Sequence, residues 1–209
     1  MSNTYISIAG PVEAEIEVKR SRFLARLEPV TDEAAAREVI ETARRRHWDA
    51  RHHCSAFVLG ADGATTRCSD DGEPSGTAGS PMLEVLTGRG LTDVVAVVTR
   101  WFGGTLLGTG GLVRAYSDAV VGATAAARTV TYELRTLADV RVPVAEAGRL
   151  ENMLRSAGYG VLGADYAAEH ATLRVTVASG ESDELAAAVA AATAGAAAID
   201  VTGSAWARL

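Results

Sequence analysis

The last third of the chain places short apolar runs and amphipathic stretches in an order that few folds accommodate. The apolar spacing predicts a strand at residues 140–144, a helix at 146–157, strands at 159–166 and 172–178, a helix at 182–193 and a strand at 198–203. Gly158 and Gly195 follow the two helices, as glycines at helix ends commonly do. The order β-α-β-β-α-β is typical of a ferredoxin-like fold, which we predict for residues 137–209.

The preceding residues, 1–136, alternate strands and helices less regularly. We predict one or two strands in residues 13–30, a strand at 52–60, a long loop at 61–80, a short helix at 81–86, a buried strand at 93–102 and a helix from about 112 to 127. A further helix at 32–46 is acidic at its start and basic at its end, as the helix dipole favours. Thr31 and Ser80 are the expected N-caps of the helices that follow them. The whole chain is therefore predicted to be an α+β protein of two domains, 1–136 and 137–209.

The charge balance argues against a general electrostatic attraction to nucleic acid. The chain has a net charge of −6, with 15 Lys and Arg against 17 Asp and Glu in residues 1–136 and 5 against 9 in residues 137–209. Any anion-binding surface is therefore expected in the first domain, where the arginines cluster.

The sequence also predicts the compartment. It contains no apolar run of about 18 residues, and its start lacks the charged and apolar parts of a signal peptide. The two cysteines, Cys54 and Cys68, are too few for a disulfide framework. We expect a cytoplasmic protein with no membrane contact, and the oligomeric state is not predicted.

A glycine-rich stretch joins the buried strand to the helix after it. Its glycines are Gly103, Gly104, Gly108, Gly110 and Gly111. Free N–H groups at the start of the helix could hold a phosphate there, with Arg100, Trp101 and Arg114 near it. The spacing matches neither common phosphate-binding motif and includes no lysine, so a sharp corner between strand and helix is the competing interpretation. Arg114 could instead form an ion pair with Asp118, four residues further along the same helix face, without contacting a ligand.

An acidic, glycine-rich loop, residues 69–81, is the second candidate. It carries Asp70, Asp71, Glu73, Ser75 and Thr77. Its carboxylates could bind a hard cation or a cationic partner, or could simply be solvated turn residues.

Two further segments carry weaker signals. A metal site or a nucleophile could be built from His52, His53 and Cys54. Zinc would need more ligands, however, and alternation along a strand places His53 on the face opposite to His52 and Cys54. Residues 44–51 combine arginines with Trp48 and could contact RNA, or could only stabilise a helix end. We predict neither a metal nor a cofactor.

Four motifs occur together in an order that resembles the IMPACT family, and within it the bacterial YigZ-type members. They are VKRSRFLA, HHCSAF, SDDGEPSGTAG and RWFGGTLLGTGGLVRAY. The resemblance implies a first domain similar to the second domain of ribosomal protein S5 and a second similar to the last domain of translocation-type elongation factors. It also marks Gly72, Pro74 and Gly76 of the acidic loop, and Ser80 stands where the family often has lysine.

The resemblance implies a translation-associated or nucleic-acid-binding role and no established reaction. We expect a non-enzymatic regulator that binds RNA, the ribosome or a translation factor. The alternative is an enzyme that binds a small molecule or a phosphate ligand with the glycine turn and the acidic loop, and a hydrolase using Cys54 ranks last. The candidate binding residues are Arg100, Trp101, Gly103, Gly104, Gly108, Gly110, Gly111, Arg114, Asp70, Asp71, Glu73, Ser75, Thr77 and His52.

Overall fold

The computed structural model describes residues 3–209 and confirms the predicted two-domain α+β fold. The first compact unit ends at Thr131 and the second runs from Tyr132 to Leu209. Both this division and the predicted one after residue 136 fall inside one continuous strand, Thr129–Pro143. Within the described residues, no helix is long and apolar enough to cross a membrane.

The first unit is an antiparallel sheet with helices on both faces. Its elements are β1 (Thr4–Ile8), β2 (Val12–Val18), β3 (Ser21–Pro29), α1 (Glu33–Arg46), β4 (His52–Leu59), β5 (Thr65–Ser69), α2 (Gly79–Gly88), β6 (Val94–Trp101) and α3 (Thr109–Ala126). The sheet order is β2-β3-β6-β4-β5. β1 lies beside the end of α2, where the Thr92 N–H donates to the Ile6 carbonyl.

The first five residues of the central strand β6, Val94–Val98, are all apolar because both faces of the strand are covered. Val94, Ala96 and Val98 pack with α2 and α3 in the larger core. Val95 and Val97 pack with α1 on the other face. Alternation along the strand therefore sends Arg100 to the face of α2 and α3, and Trp101 to the face of α1.

Three local predictions for this unit are wrong. Asp32, not Thr31, caps α1, because its carboxylate accepts the Ala35 N–H at 2.8 Å. The predicted loop at 61–80 contains β5, which pairs with β4. Ser80 is not the N-cap of α2, which starts at Gly79 and is capped from a distance by Asp70. A fourth difference is one of length, since α3 begins at Thr109 rather than near residue 112.

The second unit has the predicted ferredoxin-like topology. Its elements are β7 (Thr129–Pro143), α4 (Val144–Ser156), β8 (Gly160–Tyr166), β9 (His170–Ala178), α5 (Ser182–Thr193) and β10 (Ala198–Arg208). Antiparallel pairing gives the order β10-β7-β9-β8. The core lies between the sheet and both helices, where Leu150, Leu173 and Leu185 are fully buried.

Candidate functional site

The acidic loop and the glycine turn meet at one cavity in the first unit. Its volume is about 400 Å³, and its lining residues are Arg51, His52, Glu73, Pro74, Arg100, Phe102, Leu106, Leu107, Gly108, Thr109 and Leu112. This volume lies in the range of roughly 300–1,000 Å³ that is usual for small-molecule sites. Most of the lining residues are apolar or glycine, and the charged or ionisable ones are Arg51, His52, Glu73 and Arg100.

Three neighbouring strands place the polar residues of the cavity side by side. In the antiparallel register, Arg100 of β6 lies opposite Phe23 of β3 and opposite His52 of β4. Residues directly opposite in a sheet share a face, so all three side chains point toward α3. The end of β6 thus becomes the floor of the cavity.

A buried ion pair forms this floor. The Arg100 Nη1–H donates to Glu73 Oε1 at 2.6 Å, and the Tyr116 hydroxyl donates to the same oxygen at 2.7 Å. The side chains of Arg100 and Glu73 are only 6% and 4% exposed. His52 lies close by, with its Nε2 4.0 Å from Glu73 Oε1. A buried charge is costly without a partner. The Glu73 carboxylate therefore needs the Arg100 guanidinium and the Tyr116 hydroxyl, and Arg100 needs Glu73.

Arg100 has donors left over. Its guanidinium lies over the rings of Phe23 and Phe102, at 5.3 and 5.6 Å from their centroids. Its Nε–H is buried and has no hydrogen-bond partner among residues 3–209. A buried, unsatisfied donor requires an explanation, and a ligand or water in the adjoining cavity supplies one.

Asp70 organises the acidic loop. Its carboxylate accepts N–H groups from Gly76, Ala78 and Gly79 at 2.8–3.0 Å, which closes the loop and caps α2. Burial by itself raises the pKa of Asp70, but these backbone hydrogen bonds outweigh it and lower the pKa below its usual 3.8. Asp70 is therefore a structural residue that orients Glu73.

We expect Asp70→Asn to lower the free energy of unfolding at neutral pH by about 0.5–2 kcal/mol, the range for a lost cap. Because the pKa of Asp70 is lower in the folded than in the unfolded protein, its ionised carboxylate stabilises the fold at pH values above the unfolded-state pKa. This stabilisation is lost as the pH falls through the folded-state pKa. The difference between wild type and variant should therefore shrink as the pH falls below about 4, the ordinary pKa of an aspartate. Urea unfolding at several pH values measures it, and a difference that is constant with pH would contradict this role.

Asp71 faces away from the cavity. Its carboxylate accepts the His53 N–H at 2.6 Å and pairs with Arg44 at 2.7 Å. Its carbonyl lies 2.9 Å from His52 Nδ1, which fixes the orientation of that ring. The three carboxylates thus have three different sets of partners, and no group of three or more potential metal ligands is found among residues 3–209.

The glycines of the turn have two different roles, close packing at its start and backbone freedom further along. Gly103 packs so closely on the turn between β2 and β3 that a side chain would overlap the backbone of Arg20 and Ser21. Gly104 and Gly108 have positive φ angles, which glycine adopts at no cost. Gly108 is the N-cap of α3 and offers no side chain, so the first N–H groups of the helix, including those of Gly110 and Gly111, are open to a ligand.

Several candidates from the sequence do not reach the cavity. Trp101 is on the α1 face, where its Nε1–H donates to Asp49 and Arg22 stacks on its ring. Arg114 is 84% exposed and pairs with Asp118. The Thr77 hydroxyl donates to the Pro74 carbonyl inside the loop, and Ser75 is exposed on it.

Other lining residues were not among the candidate binding residues, although Arg51 ends the segment 44–51 for which the sequence suggested an RNA contact. Arg51, Phe102 and Leu112 line the cavity, and Tyr116 supports its floor. The i, i+4 spacing of Leu112 and Tyr116 on one helix face is a signal from which their burial could have been predicted. No sequence signal indicated that the Tyr116 hydroxyl reaches a loop carboxylate.

Cys54 is unsuited to act as a nucleophile. It is fully buried, and its Sγ lies 3.0 Å from the Asp70 carbonyl and 3.3 Å from the Tyr116 hydroxyl. Burial raises the pKa of its thiol to about 12, and the pKa of Tyr116 is raised for the same reason. Since the thiolate is the reactive form, this cysteine is a packing residue.

Comparison with known proteins gives matches over most of the chain. The Impact N-terminal domain family matches residues 19–124, and a domain of unknown function, DUF1949, matches residues 140–196. The IMPACT family member YvyE of Bacillus subtilis is 42% identical over 76% of this chain and 73% of its own length. The IMPACT family member YigZ of Escherichia coli is 51% identical over 54% of this chain and 56% of its own length. A solved structure titled "Crystal structure of an hypothetical protein" is 35% identical, with a TM-score of 0.68 over 96% of this chain and 98% of the other.

Proposed function

This chain belongs to the IMPACT family, and we propose that it acts in translation as a non-enzymatic protein that binds RNA at the cavity of its first unit. One observation carries the proposal. The two most specific motifs of the sequence, the acidic loop and the glycine turn, line a single cavity with an arginine at its floor. Ribosomal RNA in the cytoplasm is the partner we favour, and a protein translation factor is the alternative partner.

The chemistry of the cavity suits an unstacked nucleotide. Single-stranded RNA is commonly recognised by splaying out a base and stacking it on an aromatic ring. Phe102, 47% exposed, offers such a ring beside the apolar wall formed by Leu106 and Leu107. The open N–H groups at the start of α3 and the exposed cationic Arg51 can donate hydrogen bonds to the phosphate.

The local charge explains how an acidic chain can bind an anion. The excess of carboxylates in the first unit is small, and many of them are paired with arginines. The contact with RNA is therefore expected to be local, with few phosphates neutralised and a shallow dependence on salt.

The test is binding of a short single-stranded RNA, measured by fluorescence anisotropy at low and physiological salt. We expect Phe102→Ala to weaken binding by about tenfold, since stacking of one base contributes roughly 1–3 kcal/mol. Arg51→Ala should weaken binding and reduce the salt dependence.

Arg37→Ala is the matched control, because Arg37 lies on α1, on the other face of the sheet, and is 70% exposed. It should bind as the wild type does. Absence of RNA binding at low salt would overturn the proposal. Loss of binding in Trp48→Ala, with Phe102→Ala unaffected, would move the site to the α1 face.

The second candidate, an enzyme that holds a phosphate with a divalent ion, is less well supported. The glycine turn that would hold the phosphate is present. The carboxylates that would bind the divalent ion have other partners, since Asp70 accepts backbone N–H groups and Asp71 pairs with Arg44. A rise in melting temperature with nucleotide that requires magnesium would favour it.

A further inference from the structure

The floor of the cavity presents an acceptor and a donor side by side. Both hydrogen bonds to Glu73 end on Oε1, and the part of the chain that the structure describes provides no donor to Oε2. Next to it, Arg100 is 5% exposed and keeps a buried Nε–H without a partner. A group that offers both a donor and an acceptor on one planar edge would satisfy both residues.

We propose that this cavity binds a guanine base, with Arg100 donating to the O6 keto oxygen and Glu73 accepting from the N1 and N2 N–H groups. The proposal rests on the RNA-binding function above and specifies which nucleotide the cavity receives. It makes Arg100 and Glu73 the residues that determine base specificity.

A phosphate is a poor alternative at the floor. The Glu73 carboxylate lies 2.6 Å from the Arg100 guanidinium and would repel a second anion there. A neutral group with its own donors avoids this repulsion. The phosphate of the same nucleotide then belongs at the rim, near Gly108 and Thr109 at the start of α3.

Guanine matches the floor better than the other bases do. Its Watson–Crick edge carries one keto acceptor beside two adjacent donors, so the keto oxygen can accept from Arg100 while both donors reach Oε2 of Glu73, the carboxylate oxygen that has no donor among the described residues. Adenine and cytosine offer Glu73 only an amino group. Uracil offers one N–H but places a second keto oxygen toward the carboxylate. A base that leaves a buried polar group unpaired is rejected by the cost of desolvating that group.

The walls of the cavity suit the faces of a purine. Pro74, Leu107, Leu112 and Phe102 contribute apolar surface to the same cavity as the charged floor. The Tyr116 hydroxyl donates a hydrogen bond to Glu73, so the carboxylate is oriented before any ligand binds. Such preorganisation favours one orientation of the base.

The first experiment compares binding of GMP, AMP, CMP and UMP to the full chain by calorimetry. We expect GMP to bind at least about tenfold more tightly than the other three, since one correctly paired base edge contributes roughly that much discrimination. IMP, which lacks only the N2 amino group, should bind several-fold more weakly than GMP. Equal affinities for the four nucleotides, or for GMP and IMP, would overturn the proposal.

The second experiment changes the protein. Glu73→Gln replaces an acceptor by a donor at the same position and should remove the preference for GMP. Tyr116→Phe leaves both floor residues in place and should reduce the preference only partly. The comparison of GMP with IMP on the wild type does not depend on how well either variant folds.

The outcomes separate this inference from the proposed function. RNA binding without a preference for guanine would overturn the guanine pocket and leave the RNA-binding function standing. A preference for GMP without any RNA binding would support the pocket and overturn that function.

Discussion

Replacing Arg100 by alanine is expected to lower the free energy of unfolding of the first unit by about 3–5 kcal/mol, the usual cost of removing one partner of a buried ion pair. The large effect has a specific cause. Glu73 would lose its cationic partner at a site where its side chain is 4% exposed, with only the Tyr116 hydroxyl left as a donor. Urea unfolding of the full chain, followed through NMR amide signals of residues 3–131, measures this loss.

A double variant separates the unpaired charge from lost packing. Arg100→Met combined with Glu73→Gln leaves neither charge unpaired, so it should be clearly more stable than Arg100→Ala alone. Arg37→Ala, which breaks an exposed pair with Glu33, should change stability little. A loss below about 1 kcal/mol for Arg100→Ala would mean that water reaches Glu73 and that the floor is not desolvated.

Gly103→Ala is expected to destabilise the same unit by about 1–3 kcal/mol or more, as overpacking does. A Cβ at this position would overlap the backbone of Arg20 and Ser21, which cannot move aside as a flexible side chain can. The Gly103 N–H also donates to Ser21 Oγ at 3.1 Å, so a shift would lose this bond as well. The variant should therefore disturb the turn that leads into the cavity.

Gly122→Ala is the matched control for this substitution. Gly122 lies inside α3, and a Cβ there would meet only the Ala14 side chain at an ordinary 3.8 Å. The alanine should stabilise the helix by up to about 1 kcal/mol, because glycine is a poor helix former. Equal effects of the two substitutions on the melting temperature would contradict the close approach at Gly103.

The main elements of the fold could be predicted because each has a clear apolar pattern. The unbroken run at Val94–Val98 indicated a strand buried on both faces, and β6 is one. The helix predicted at 182–193 coincides with α5, since Gly195 ends it clearly. β5 was missed because all five of its residues are exposed, so no apolar alternation marks it.

The site was only partly predictable. The sequence grouped Arg100 with Trp101 because they are neighbours, although alternation along a strand places them on opposite faces. The roles of Asp70, Asp71 and Glu73 could not be told apart, because they depend on backbone groups and arginines distant in sequence. What the sequence did identify is the pair of segments that form the cavity.

The measurement that tests the central claim most directly is an NMR titration of the ¹⁵N-labelled chain with a short single-stranded RNA containing guanine. The account predicts that the largest amide shifts fall on His52, Glu73 and the first turn of α3, with the α1 face around Trp48 unchanged. Shifts confined to the α1 face, or shifts on the acidic loop without any on the glycine turn, would contradict the claim that these two segments form one binding site.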